Sequence, residues 1–109
     1  MKIEPAPLRA VDWSKVDPSE HKGEPGTATW RTEHLGDIRV RVVEYTPGYV
    51  ADHWCAKGHI VYVLAGEIIS EQRSGTKVTL TAGMSYLVGD DCDAHRSYAP
   101  NGAKLFIVD

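Results

Sequence analysis

From Gly26 onward the chain is a succession of short β-prone runs, each cut off by a turn signal, and no stretch holds a helical period. Residues 27–32 are rich in Thr and Trp. Leu35-Gly36-Asp37 turns the chain into 38–45, where apolar and charged residues alternate. That alternation predicts one buried face and one wet face. Residues 46–49 form a turn signal, 51–55 a short run, and Lys57-Gly58 breaks it. Further runs are expected at 60–65, 68–72, 77–80, 85–88, around His95, and at 104–108. Gly or Asp-Asp signals separate them. About nine short strands at close spacing predict an all-β sandwich or barrel. A chain of 109 residues supports one such core.

Residues 1–26 read differently. Pro5, Pro7, Pro18 and Pro25, with Gly23 and Gly26, interrupt any period. The expectation is an irregular N-terminal arm over 1–26, anchored by Trp13, with the barrel over 27–109. Asp12 and Asp17 are each placed to cap a short helical turn.

Charge and hydropathy narrow the function classes. A net charge of −3 with scattered basic residues argues against a nucleic-acid partner. The longest apolar run, 60–65, is far short of the ~20 residues of a membrane span. Residues 1–7 lack the apolar stretch of a secretion signal, so the expected compartment is the cytoplasm. There Cys55 and Cys92 are expected as free thiols or ligands rather than a disulfide. The run 60–65 is apolar on both faces and so needs cover on both. In so small a chain the second cover is expected to be another subunit, giving a homodimer.

The chemistry is concentrated between 48 and 67. His53 and Cys55 are two apart, so on a strand they share a face. Gly58 lets the chain turn back, and His59 then starts the next strand. This spacing resembles the first cupin motif: glycine, His-x-His, a carboxylate a few residues on, and a glycine six further. His53 stands at the first histidine, Cys55 at the second, His59 at the glutamate, and Gly66 closes the pattern. Gly83, then Gly89-Asp90-Asp91, then His95, is similar to the second motif, with one extra residue before the histidine. The run Asp52-His53-Trp54-Cys55 with Gly58-His59 is similar to a group of small bacterial cupins with an Asp-His-Cys-Trp-type motif.

The resemblance implies a single cupin jelly-roll β-barrel of the RmlC-like kind. It brings His95 to the mouth beside His53, Cys55 and His59, where the four would hold one divalent transition metal. Imidazole and thiolate in place of a carboxylate favour zinc, iron(II) or nickel over manganese. Cys55 is either a ligand or a small buried residue. Val61 and Val63 share the parity of His59 and are expected to form an apolar wall. Ser97 shares the parity of His95, and Ser97 and Tyr86 are expected to contact a small-molecule ligand. Tyr86 or Tyr98 is the candidate base.

Parity sends Trp54, Tyr62 and Arg96 outward. Asp52 ends a turn or orients a ligand. Cys92 is expected in the core, and His21 and His34 on the surface. Two functions follow. One is a metal-dependent enzyme, dioxygenase-, isomerase- or lyase-like. The other is a non-catalytic binding or sensor module.

Overall fold

The computed structural model describes residues 2–109. A short 3-10 turn, Trp13–Lys15, precedes nine strands. They are β1 Pro18–Lys22, β2 Thr27–Leu35, β3 Ile38–Tyr45, β4 Tyr49–Val50, β5 His59–Gln72, β6 Lys77–Thr81, β7 Ser85–Val88, β8 His95–Ala99 and β9 Ala103–Val108. Every pairing is antiparallel. One sheet runs β1-β2-β3-β9-β5-β7 and the other β6-β5-β8-β4, so β5 belongs to both. The sheets curl into a half-barrel, and the all-β jelly-roll expectation holds.

The shared strand was expected as two, separated at Gly66-Glu67. It is one strand of 14 residues, bent by a bulge between Val63 and Ala65. The extra residue reverses the parity, so Val61 and Val63 point inward before it and Ile68 and Ser70 after it. Gly66 has φ +76°, and a Cβ there would lie 2.4 Å from the Gly102 carbonyl oxygen. Only glycine fits that contact without displacing the turn before β9. Inside the barrel, Ala28, Val43, Val61, Val63 and Leu105 of the first sheet meet Ile68, Leu80 and Ala99 of the second. Each fully buried Val, Ile or Leu contributes roughly 1.5–3 kcal/mol.

Three local expectations need correction. The arm is irregular only as far as Asp17, apart from the 3-10 turn that Asp12 caps. Asp17 caps no second turn, because Pro18–Lys22 joins the sheet on the edge of β2. Proline is tolerated at the first position of an edge strand. His21 then stacks on Trp30 with ring centroids 3.6 Å apart, so it is part-buried rather than a free surface residue, while His34 is exposed.

The second correction concerns β3. Its apolar residues Ile38 and Val42 are buried, but on the outer face of the sheet, under the arm. Trp13 anchors that arm as expected, packing edge-on against Phe106, the residue opposite Val42. Val43 faces the core, and Arg41, with the same parity, is 4% exposed. The expected wet face of β3 is therefore the barrel's inner face.

The third concerns residues 51–58. They form no strand, only an isolated bridge between Cys55 and His95. Cys92, expected in the core, is exposed on the loop before β8, and both cysteines are free.

Candidate metal centre

Cys55 and His95 exchange both backbone hydrogen bonds, at 2.7 and 2.9 Å. That pairing sends their side chains to the same side. His59 begins β5, opposite Val88 of β7, and its ring meets that of His95 edge-on at 5.2 Å. One donor atom from each of Cys55, His59 and His95 lies within 4.8 Å of the others.

Gly58 sets where β5 starts. A Cβ there would lie 2.8 Å from the Asp90 nitrogen, and the Gly58 N–H donates to Asp90 Oδ1 at 2.7 Å. Its glycine is required by close approach of the loop at 89–90.

The hydrogen bonds assign the tautomers. His95 Nδ1–H donates to the Asp93 carbonyl at 2.9 Å. His59 Nδ1–H donates to Asp109 Oδ2 at 2.8 Å. A carbonyl and a carboxylate only accept, so both protons sit on Nδ1 and both Nε2 atoms carry a lone pair rather than a proton. His59 Nε2 lies 3.4 Å from Cys55 Sγ. His95 Nε2 is buried and has no partner. A buried polar atom left unpartnered costs about 1–3 kcal/mol, a cost that a ligand or water at this position would relieve. Burial holds the His59 pKa below the ordinary imidazole value, against the upward pull of Asp109. The ring is therefore neutral at neutral pH, as a metal ligand must be.

Asp109 lies outside the sequence-predicted set. Its side chain is fully buried and is bonded by Arg39 at 2.8 and 3.0 Å and by Arg41 at 2.9 Å. Burial raises its carboxyl pKa, but the two guanidiniums and His59 outweigh that and hold it down at about 2. A carboxylate that fixes a histidine through Nδ1 is the usual outer partner of an imidazole ligand.

His53 is not brought to this cluster. The loop at 51–58 is not pleated, so alternate residues need not share a face. Its side chain is 76% exposed, with Nδ1 donating to Asp52 at 2.6 Å. Trp54 is part-buried, with the Arg96 and Arg73 guanidiniums 4.6 and 5.5 Å from its ring centroid.

A cavity of about 150 Å³ opens beside His95, with Tyr86 also on its wall. Tyr86 lies 5.8 Å from His95 between ring centroids. Burial pushes its phenol up to about 12, so at neutral pH it is a hydrogen-bond donor and no base. Ser97 is buried beneath it. Val61 and Val63 belong to the core under the site, and neither is on the cavity wall.

The donor set fits a transition-metal ion. One thiol and two imidazoles with free lone pairs suit zinc and its neighbours, and three protein ligands leave a coordination position open.

In sequence, neither a family model nor a curated protein matches the chain. Solved structures do match it in fold. An ectoine synthase from P. lautus superposes with a TM-score of 0.73 at 17% identity, over 93% of this chain and 76% of that one. An RmlC-like cupin from Shewanella frigidimarina gives 0.72 at 19% identity, over 94% and 89%. A sugar phosphate isomerase of the cupin superfamily from Silicibacter pomeroyi gives 0.70 at 14% identity, over 92% and 74%. The chain has the RmlC-like cupin fold and carries a Cys/His/His group whose donor atoms could hold a metal.

Proposed function

We propose that this protein binds one divalent transition-metal ion through Cys55, His59 and His95 and acts as a metal-dependent enzyme on a small molecule seated beside it. The observation that carries the reading is the buried, unpartnered Nε2 of His95, next to a second imidazole with the same tautomer and a thiol. The thiol-imidazole set favours zinc, with iron(II) and nickel next. When bound, such an ion supplies Lewis-acid polarisation of an oxygen.

The chain's own residues would then do three things. Asp109 holds the His59 ring with its free nitrogen toward the other donors. Tyr86 offers a proton-bearing phenol to the ligand. The valines under the site keep its inner side dry.

The deciding measurement is elemental analysis of the purified protein and of single variants. About one metal per chain is expected. His59→Ala, His95→Ala and Cys55→Ala should each lose most of it. Full metal content in all three variants, or none in the wild type after growth with each candidate metal, would overturn the reading.

We also propose that the protein pairs with a second copy through the outer face of β5. Ile60, Tyr62, Leu64 and, on β7, Leu87 lie exposed on that face. Ile60 stands directly opposite Leu87, which makes the patch continuous. The arm packs on the neighbouring β3–β9 part of the same sheet.

A further inference from the structure

The cavity beside His95 is lined from both β6 and β7, and each of these strands pairs only with β5. Register fixes which side chains look into it. Val78 of β6 stands opposite Ser70 of β5, as Leu80 stands opposite Ile68. Ser70, Ile68 and Leu80 are all buried on the inner face. Residues opposite each other in a ladder share a face, so Val78 points inward as well. On β7, Tyr86 stands opposite Val61 and Val88 opposite His59, which places both on the inner face.

Val78 is nevertheless 49% exposed. An inward apolar residue is ordinarily covered by the facing sheet. Here it borders open space of about 150 Å³ instead. A flat partner surface does not reach side chains that point into a barrel, so what covers Val78 has to enter the cavity.

The wall changes chemistry across its width. On the β8 side stand His95, with its unpartnered Nε2, and Gln72 directly opposite it. Asp93 lies on that side too, its carbonyl taken by His95 Nδ1. An ion held at His95 would be the largest local charge there and would draw the electron-rich end of a ligand. Val78 lies on the far side of β5, two strand spacings from β8, about 9–10 Å between backbones. Val88 and Tyr86 line the cavity from β7.

We infer that the ligand of this cavity is amphiphilic: an oxygen-bearing head goes to the ion at His95, and a short aliphatic chain or ring lies along Val78 and Val88. Val78 sets the length of chain accepted. The space is near the volume that seats a benzene ring, so it takes about six non-hydrogen atoms. The placing of the head rests on the proposed metal site, and the placing of the chain rests on the wall alone.

Two homologous series separate chain from head. Acetohydroxamate and butyrohydroxamate, which share one metal-chelating head, are titrated into zinc-loaded full-length protein. Ethanol, 1-butanol and 1-hexanol are titrated into chelator-treated protein. Both are followed by NMR of the valine methyl groups. In each series affinity should rise about threefold per methylene from the two-carbon to the four-carbon member, or about tenfold in all. Val78→Phe fills the far end of the cavity and should cut that gain to less than about twofold. Val78→Thr keeps the branched shape but adds a hydroxyl, and should cut it to about three- to fivefold.

Equal affinity of the two- and four-carbon members would overturn the inference. So would the full gain retained in both variants, or valine methyl signals unmoved by 1-hexanol at saturation. If the protein takes up no zinc, the alkanol series still reads the wall, and only the metal reading fails. If zinc binds and the hydroxamates ignore chain length, this inference fails alone.

Discussion

His59 and Asp109 lie fifty residues apart in the chain, yet the imidazole Nδ1–H and the carboxylate meet at 2.8 Å in a largely buried contact. Two arginines from a third strand hold the same carboxylate. The pair joins the start of β5 to the end of β9. The ring that offers its Nε2 to the donor cluster is therefore aimed by the residue just past the last strand. Asp109→Asn should lower metal affinity by about 10–100-fold while leaving Cys55 and His95 in place. Competition with a chromophoric chelator measures this, and cobalt substitution should show an altered visible spectrum. Asp109→Ala should also cost about 3–5 kcal/mol of stability by denaturant unfolding, because Arg41 stays buried without its counter-ion. Wild-type metal affinity in Asp109→Asn would remove Asp109 from the site.

The same carboxylate sets an acid limit. Its folded pKa, about 2, lies below the ordinary value of 3.8. A depressed carboxyl stabilises the fold fully above the unfolded value, and the contribution is lost as pH falls through the folded one. Stability should therefore drop between about pH 4 and pH 2, by about 2 kcal/mol from this group. Asp109→Asn should flatten that part of the curve. Metal release follows different groups. The depressed pKa of His59 keeps its ring available below the usual imidazole range. The midpoint of metal loss on stepwise acidification should thus lie below pH 6.5.

The barrel was legible because strand-forming runs and turn signals alternate from Thr27 to the end of the chain. The convergence of three of the four residues was legible for a narrower reason: Cys55, His59 and His95 are carried or paired by regular strand geometry. His53 was misplaced because a period of two was applied to residues 51–58, which are a loop. Asp109 was missed although a signal existed. Ala103, Leu105 and Ile107 point inward, and the next residue of that parity is Asp109. The adjacent valines 42 and 43 hid the matching arginines, because each face of β3 carries a buried valine and parity alone does not choose between them. That choice is made by the arm, which covers Val42, and no local pattern encodes it.

The contrast between His53 and the cluster gives a direct test of the loop. His53→Ala should retain full metal content and change stability by no more than about 0.5 kcal/mol, as for an exposed residue with one local partner. The control is His95→Ala, which should lose the metal. Loss of metal in His53→Ala as well would mean that the loop closes over the ion, and that the expected four-donor set is correct in the loaded protein.

The outer face of β5 yields the last expectation. Ile60, Tyr62 and Leu64 are 46%, 43% and 42% exposed, and Leu87 is 75% exposed, in one contiguous row. An apolar row of that kind is what a contact site between copies would present. A stable pair needs about 800 Å² buried on each partner. Tyr62→Glu places a charge in the middle of the row, where burial against a second copy would leave it unpaired. Light scattering at micromolar concentration should give a dimer mass for the wild type and a monomer mass for Tyr62→Glu, with unfolding of the monomer still cooperative. A wild-type mass of one chain, or a Tyr62→Glu protein that stays dimeric, would show that this face is not where copies meet.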